Sequence, residues 1–224
     1  MPREVQDHWF REAKRLGWRS RAAFKLTEID DKRKILVPKA RVLDLGCAPG
    51  SWLQVAAKRV GTGGLVVGVD LQPVTGGFKG APVHVIKGDA FQLDGDMLAE
   101  IGLEPDLVFD VILSDMAPAT TGQRDTDHYG SMRLCDLVLT TATGRLKAGG
   151  NLVMKTFEGP GSRDLVDRMK SIFQTVRPAK PKASRSNSRE MFLVGMDRNA
   201  DVSSQERHTA APGGPPPPTS GWGD

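Results

Sequence analysis

The spacing of hydrophobic positions changes near residue 38. Two stretches with helical spacing come first, at 4–16 and 20–34. In the second, Ala22, Leu26 and Ile29 form one apolar stripe behind Ser20, which the pattern predicts to be the N-cap. Beyond that point, short apolar runs alternate with helical stretches. The predicted strands are 41–45, 65–70, 83–89, 109–115, 150–157 and 191–196, and the helices between them are 51–60, 95–101, 129–147 and 162–173.

This alternation predicts an α/β fold in which a mostly parallel sheet is covered by helices on both faces. Three regions follow from the pattern. A basic helical extension, residues 1–39, is expected to pack on a central domain, residues 40–196. Residues 197–224 are rich in Pro and Gly and poor in apolar side chains, so we predict a disordered tail.

Composition narrows the class of protein. The chain has 224 residues and is 39% hydrophobic, which fits one globular domain with short appendages. No apolar stretch approaches the length of a membrane span, and the charged N-terminus does not resemble a secretory signal. The two cysteines show no metal or disulfide spacing, and the four histidines are scattered. We therefore expect a cytoplasmic protein that binds no metal and no membrane.

The charge is distributed unevenly. Residues 1–39 carry eleven Lys/Arg against six Asp/Glu, whereas the remainder carries twenty against twenty-one. A second basic run, residues 177–189, holds five cations and no acid. Two basic segments around a near-neutral body favour a polyanionic partner such as nucleic acid. The alternative is a solvated helix face and a solvated loop.

The sequence DLGCAPGSW, residues 44–52, marks a candidate ligand site. It follows the first predicted strand, and ligands of open α/β sheets bind beyond the carboxyl ends of strands near the change in strand order. Gly46 allows a sharp turn, and Gly50 allows a ligand to approach the start of the next helix. The middle glycine of a dinucleotide fingerprint is missing, so a pyrophosphate fits poorly.

Two acids at the ends of the next strands suggest what binds there. Asp70 can accept hydrogen bonds from both hydroxyls of a ribose, and Asp89 can bind an adenine amino group. Together they describe a site for an adenosine without a diphosphate, such as S-adenosylmethionine. Trp52 is predicted to wall the pocket for the methionine portion, with simple packing of the helix on the sheet as the alternative. Cys47 is interpreted as a loop spacer.

Four charged residues form a second constellation. Asp115 and Lys155 end neighbouring parallel strands and should therefore meet at one sheet edge. Glu190 begins the last strand, which reaches the same edge if that strand is antiparallel. Lys25 lies on the basic helix, which can cross that edge. A lysine accepts a hydroxyl proton only when neutral; burial beside a second cation favours that form, whereas carboxylates oppose it, and the residues alone leave both outcomes open.

Five motifs carry a family resemblance. In order they are RSRAAFKL (19–26), DLGCAPGSW (44–52), LSDMAP (113–118), VMKTF (153–157) and SREMFLV (188–194). The chain resembles the FtsJ/RrmJ-type (RlmE) family of ribosomal RNA ribose 2′-O-methyltransferases from about residue 7 to 196. One departure is Ser51, where a second glycine is expected. The resemblance implies a Rossmann-like class I S-adenosylmethionine-dependent methyltransferase fold, with a mostly parallel seven-stranded sheet and an antiparallel last strand.

The resemblance also implies roles for individual residues. The family's catalytic tetrad corresponds to Lys25, Asp115, Lys155 and Glu190. Its S-adenosylmethionine contacts correspond to Gly50, Trp52, Asp70, Asp89 and Asp115, to which the glycine bend adds Gly46.

The expected activity is 2′-O-methylation of a uridine ribose in 23S ribosomal RNA of the large ribosomal subunit. Lys155 would be the general base, and the protein would act as a monomer. The absence of an aromatic residue after the proline of LSDMAP disfavours methylation of a base. Two alternatives remain at this stage. One is a methyltransferase acting on another RNA (transfer RNA or a messenger RNA cap) or on a small molecule. The other is a non-catalytic RNA-binding assembly factor.

Overall fold

The structure is a computed structural model that describes residues 2–119, 121–184 and 188–200. Residues 201–224 of the predicted tail and residues 185–187 of the second basic run lie outside the described residues. The helices are α1 Pro2–Arg15, α2 Ala22–Arg33, α3 Ser51–Val60, α4 Gly95–Glu100, α5 Arg124–Arg145 and α6 Ser162–Ile172. The strands are β1 Arg41–Leu45, β2 Leu65–Asp70, β3 Val83–Lys87, β4 Phe109–Ser114, β5 Leu146–Phe157, β6 Phe173–Ala179 and β7 Glu190–Arg198.

The strands form one seven-stranded sheet in the order β3-β2-β1-β4-β5-β7-β6. Strands β1 to β5 pair in parallel, and β7 runs antiparallel between β5 and β6. This topology confirms the predicted fold class. The chain runs outward from β1 to β3 and then returns to β4 on the other side of β1. Since strand order reverses between β1 and β4, a ligand cleft is expected at their carboxyl ends.

The sheet is covered on both faces because its central strands are apolar on both sides. Leu43 and Leu45 of β1 belong to a core that includes residues of α5 and α6, such as Leu139 and Met169. Val42 lies in the second core, beneath α2 and α3. A parallel strand buried on both faces is typically an uninterrupted apolar run, as β1 is apart from the exposed Arg41 and the buried Asp44.

Strand β6 was missed by the hydrophobic pattern. Its sequence FQTVRPA was expected to be partly helix end and partly basic loop, yet residues 173–179 pair along β7. Only one edge of β6 is hydrogen-bonded, so solvent-facing polar residues and Pro178 are tolerated there. Arg177 of the second basic run is therefore a strand residue, paired with Val194.

The last strand extends beyond the predicted boundary at residue 196. Strand β7 continues to Arg198, which pairs with Phe173 and is only 9% exposed. Its guanidinium donates to the Thr143 carbonyl oxygen at 2.9 Å, which fixes this end of the strand against α5. The last strand therefore ends two residues later than predicted.

Helix α2 is integrated into the core. Ala23, Leu26 and Ile29 are buried with residues of α3 and the sheet. The N-cap position falls on Arg21, one residue later than predicted, and Arg21 makes no side-chain cap bond. The Ser20 hydroxyl still accepts a hydrogen bond from the Ala22 N–H at 3.2 Å. It also lies 2.7 Å from the Ser51 hydroxyl and so links the start of α2 to the start of α3. Within the described part of the chain, no helix combines the length and apolar character needed to cross a bilayer.

Candidate active site

A cleft of about 340 Å³ opens at the carboxyl ends of β1, β2 and β4. Four of the residues predicted to bind a cofactor line it, namely Gly46, Asp70, Asp89 and Asp115. The volume falls within the range of small-molecule sites, which begins near ~300 Å³. Three carboxylates therefore converge on one concave site at the change in strand order.

The glycine bend forms one wall of this cleft. Gly46 has φ +75°, and a Cβ added there would collide with the Met116 side chain. Gly50 has φ +100° and is the N-cap of α3, where an added Cβ would lie 2.9 Å from Arg19 Nη1. Both positions therefore favour glycine on steric and conformational grounds. Gly46 lines the cleft, whereas Gly50 does not.

The carboxylate of Asp70 is held by the backbone on both sides. Its Oδ2 accepts a hydrogen bond from the Ala48 N–H at 2.8 Å, and its Oδ1 accepts one from the Gln72 N–H at 2.7 Å. An ionised carboxylate accepts about four hydrogen bonds, so capacity for ligand hydroxyls remains. Asp89 is oriented in the same way, since its Oδ1 accepts from the Phe91 N–H at 2.9 Å. Both acids are thus fixed before any ligand arrives.

The Trp52 side chain packs in the protein core, which was the alternative to a role in the cofactor pocket. Its side chain is 3% exposed, and its ring centroid lies 5.7 Å from that of Phe192. The indole N–H donates to the Ala22 carbonyl oxygen at 2.9 Å, which ties α3 to α2. The side chain does not line the cleft. A role for Trp52 toward a methionine portion remains a prediction of the family resemblance.

The four charged residues predicted to form a tetrad lie together at one edge of the cleft. Lys155 Nζ lies 2.9 Å from Asp115 Oδ1 and also contacts the Asp115 carbonyl oxygen. Lys25 Nζ lies 2.7 Å from Glu190 Oε1 and 4.0 Å from Asp115 Oδ1. The two lysine side chains are each 9% exposed. Asp115 therefore pairs with Lys155 and also lies close to the Lys25–Glu190 pair.

Strand direction explains this convergence. Asp115 directly follows β4, and Lys155 lies near the carboxyl end of the neighbouring parallel β5. Because β7 is antiparallel to β5, Glu190 at its start pairs with Phe157 and reaches the same edge. Helix α2 then crosses that edge and delivers Lys25, whose ammonium also lies 5.6 Å from the ring centroid of Phe192.

Opposing effects set the ionisation of Glu190. Burial alone raises the pKa of this carboxyl group, whereas the charge and hydrogen bond of Lys25 and the hydrogen bond from Ser184 lower it. The lowering effects prevail, so the pKa of Glu190 lies below its ordinary value. Glu190 is therefore an anion at neutral pH and a permanent partner for Lys25.

Asp44 on β1 is a candidate residue to which the sequence analysis gave no role, although it begins the DLGCAPGSW motif. It is 1% exposed, and neither carboxylate oxygen has a hydrogen-bond partner among the described residues. Burial, reinforced by the nearby carboxylates of Asp115 and Asp70, raises the pKa of Asp44 well above its ordinary value. The signal in the sequence was an acid inside the apolar run RVLDL, a position that normally holds a hydrophobic residue.

Asp44→Asn is expected to raise the free energy of unfolding by about 1–2 kcal/mol at pH 7.5. The unfolded chain releases this proton near pH ~4, whereas the folded protein holds it to higher pH. Between the pKa of the unfolded chain and the higher pKa of the folded protein, rising pH therefore lowers the free energy of unfolding of the wild type. Urea denaturation at pH 5.5 and 7.5 should show the variant's advantage growing with pH.

Asp106→Asn, which alters an exposed carboxylate before β4, serves as the control and should track the wild type. If Asp44→Asn also tracks the wild type at both pH values, Asp44 carries no titration penalty in the folded protein.

The cysteines carry no sign of nucleophilic chemistry. Burial raises the pKa of the Cys47 thiol, with the charges of Asp44 and Asp70 adding to the effect. Burial likewise raises the pKa of Cys135 to about 11. Both thiols are therefore protonated at neutral pH. Within the described ranges, no cluster of three or more His, Cys, Asp or Glu side chains is arranged to hold a metal ion.

A second, more open depression of about 650 Å³ lies beside β3. Its lining consists of glycine, proline, threonine and apolar side chains, including Val74 and Phe78. Although it is larger than the cleft, none of its lining side chains is charged or titratable. The arrangement of carboxylates and lysines therefore assigns the chemistry to the smaller cleft.

The residues of the smaller cleft fit an adenosine-type cofactor. Asp70 and Asp89 present carboxylate oxygens that the backbone already orients. At Gly46 a Cβ would collide with the Met116 side chain, so only glycine leaves this part of the cleft wall undisturbed. When bound there, S-adenosylmethionine would supply an electrophilic methyl carbon attached to a sulfonium. Gly46, Asp70, Asp89 and Asp115 are the residues that would hold it.

The fold and the site define a Rossmann-like α/β methyltransferase. Its sheet order, glycine bend and strand-end acids all place the cleft at one topological position. The chain belongs to the FtsJ-like methyltransferase family, whose model matches residues 18–198. This match confirms the resemblance drawn from the five motifs.

Individual relatives agree with this assignment. A ribosomal RNA large subunit methyltransferase E from Bdellovibrio bacteriovorus is 45% identical over 194 residues, covering 86% of this chain and 97% of the relative. One from Desulfatibacillum aliphaticivorans is 42% identical over 193 residues, covering 86% and 91%. A crystal structure of a ribosomal RNA methyltransferase from Plasmodium falciparum superposes with a TM-score of 0.70 at 30% identity. It covers 82% of this chain and all of that one.

Proposed function

We propose that this protein methylates the ribose 2′-hydroxyl of a uridine in 23S ribosomal RNA of the large ribosomal subunit, using S-adenosylmethionine. The observation that carries the proposal is the contact of Lys155 with Asp115 at the edge of the cofactor-sized cleft, beside the Lys25–Glu190 pair. The names of the relatives support a ribosomal RNA substrate.

Lys155 is the proposed general base. A ribose hydroxyl is a very weak acid, so its oxygen becomes an effective nucleophile only as its proton leaves. Asp115 lies on the cleft wall and 2.9 Å from Lys155 Nζ, so a hydroxyl in reach of that nitrogen is also next to the bound cofactor. In its neutral form Lys155 accepts the hydroxyl proton at Nζ and later passes it to water.

Lys25 and Glu190 orient this centre. The Glu190 carboxylate holds the Lys25 ammonium, whose remaining donor capacity faces Asp115 at 4.0 Å. Lys25 adds a second positive charge beside Lys155, which can stabilise the oxyanion that develops on the ribose. The tetrad thus divides into a proton acceptor, two carboxylates that orient the lysines, and a second lysine that supplies positive charge.

Basic segments near the tetrad supply the contacts to the RNA backbone. Helix α2, which delivers Lys25, belongs to the basic extension, and Lys180 and Lys182 lie exposed on the connection between β6 and β7. Each phosphate that such a cation neutralises releases counterions. We therefore propose that RNA lies across α2 and this connection, with the target ribose over Lys155. The same interpretation places the protein with ribosomes in the cytoplasm, acting as a monomer.

The test is methylation of purified large ribosomal subunits that lack ribose methylation, with methyl-labelled S-adenosylmethionine. We expect label in 23S RNA, at one uridine, in a 2′-O-methyl group that resists alkaline hydrolysis and is located by mass spectrometry of nuclease fragments.

Label in a base, or label in transfer RNA but not in subunits, would replace the proposed substrate with one of the alternatives. Calorimetry showing no heat of cofactor binding, together with no transfer, would support a non-catalytic assembly factor instead.

A further inference from the structure

Residues 180–184 form a turn, which we call the 180–184 turn. Its two lysines are exposed, and its last residue, Ser184, contacts the tetrad. Pro181 and Ala183 are buried, whereas Lys180 and Lys182 are exposed. The Ser184 N–H donates to the Pro181 carbonyl oxygen at 2.9 Å, which closes the turn. Lys180 Nζ also donates to the Ser188 carbonyl oxygen at 3.1 Å, although its side chain is exposed.

The turn is anchored to the helix that carries Lys25. The Lys182 N–H donates to Glu28 Oε2 at 2.7 Å. Glu28 lies one turn after Lys25 on α2, and its Oε1 also lies 2.7 Å from Lys32 Nζ. Since Glu28 accepts from the main chain of the turn, a shift of the turn would pull on α2 close to the catalytic lysine.

The inward end of the turn reaches the tetrad directly. The Ser184 hydroxyl donates to Glu190 Oε1 at 2.8 Å. That same oxygen lies 2.7 Å from Lys25 Nζ. The Glu190 side chain is 13% exposed, so water competes little for these bonds. Hydrogen bonds to a partly buried carboxylate are stronger than neutral ones and fix its orientation.

We propose that Ser184 is a positioning residue that couples the docking of a polyanion on Lys180 and Lys182 to the placement of the Glu190–Lys25 pair. The inference rests on the proposed function for its substrate, a phosphate backbone. Binding of phosphates rigidifies the 180–184 turn. Through the Ser184 hydrogen bond, the rigid turn holds the Glu190 carboxylate in the arrangement that orients Lys25.

The first experiment needs no catalysis. The full-length protein is labelled with ¹³C at glutamate carboxyl groups, and the Glu190 signal is titrated in the wild type and in Ser184→Ala. Loss of the Ser184 hydrogen bond should raise the pKa of Glu190, because that bond is one of the interactions that lower it. A ten-residue oligouridylate should then shift the Glu190 signal in the wild type but not in Ser184→Ala.

The second experiment measures turnover on large ribosomal subunits. Ser184→Ala should lower kcat by about tenfold, with KM for subunits and cofactor affinity changed by less than about twofold. Ser184→Thr keeps the hydroxyl and should restore both kcat and the Glu190 titration. Ser171→Ala on the exposed end of α6 is the control and should match the wild type.

A double-mutant cycle tests the coupling itself. Lys182→Ala should raise KM and lower kcat in the wild-type background, but only raise KM in the Ser184→Ala background. Equal effects on kcat in both backgrounds would overturn the coupling, as would a Glu190 titration unchanged by Ser184→Ala. If Ser184→Ala does not fold, Ser184→Cys keeps the volume with a much weaker donor and takes its place. A wild type without transfer would refute the proposed substrate, while the Glu190 titration would still decide the role of Ser184.

Discussion

Lys155→Met is expected to lower the rate of methyl transfer by about a thousandfold while changing cofactor affinity by less than about threefold. Methionine is close to lysine in length and apolar volume, but it offers no nitrogen to accept a proton. Lys155 contacts Asp115 without itself lining the cleft, so the cofactor surface should persist. Single-turnover transfer to large ribosomal subunits and calorimetric binding of S-adenosylmethionine measure the two quantities separately.

Lys147→Met is a matched control on the same strand. Lys147 lies near the opposite end of β5, where it pairs with Asp110 and its side chain is 53% exposed. Removing this surface ion pair should leave transfer within about twofold. Thermal unfolding of both variants separates loss of chemistry from loss of fold. A Lys155→Met protein with wild-type turnover would refute the assignment of the base.

Asp115→Asn is expected to combine two losses, a fall in transfer of about a hundredfold and a weakening of cofactor binding of about tenfold. The carboxylate lines the cleft and contacts Lys155, and it lies 4.0 Å from Lys25. Replacing it with an amide keeps the shape but removes the negative charge that holds two ammonium groups in place. Because one group serves both the cofactor and the base, kcat and the cofactor Kd should change together.

Asp110→Asn is the corresponding control, since Asp110 lies on β4 at the end remote from the cleft. Its Oδ2 accepts from the Arg41 N–H at 2.7 Å, a bond that the asparagine oxygen can keep. We expect wild-type transfer and wild-type cofactor affinity. A loss of transfer in Asp115→Asn with unchanged cofactor binding would restrict Asp115 to orienting the lysines.

The two predictions differ because Asp115 lines the cofactor cleft and Lys155 does not. Asp115 also belongs to the tetrad, where Lys155 contacts it from the neighbouring strand β5. Only the structure shows this difference. In the sequence both residues simply follow apolar strands, and the spacing between them says nothing about which one faces the cofactor.

The spacing of hydrophobic residues along the chain predicted much of the fold. The apolar runs of β1, β2 and β4 are buried on both faces, and such runs are recognisable without any tertiary contact. The glycine bend was predictable for the same local reason, because a positive φ, as at Gly46 and Gly50, strongly favours glycine. Acids at strand ends then placed the cleft, since parallel strands share one carboxyl edge.

Tertiary structure decided what local pattern does not encode. Strand β6 exists because β7 offers it a hydrogen-bonding edge, although its own sequence is polar and contains Pro178. Ser20 meets Ser51 because α2 and α3 lie against each other, and Trp52 of α3 packs on Phe192 of β7. The bond between Lys25 and Glu190 joins residues 165 positions apart.

The sequence by itself therefore determined the α/β fold, the position of the glycine bend and which charged residues end the strands. These features depend on periodicity and backbone conformation, which are properties of neighbouring residues. The tertiary structure alone decided that Asp115 joins the two lysine pairs, that Asp44 is buried without a partner, and that Ser184 reaches Glu190. Those facts depend on burial and on distances between segments remote in the chain, which no local pattern specifies.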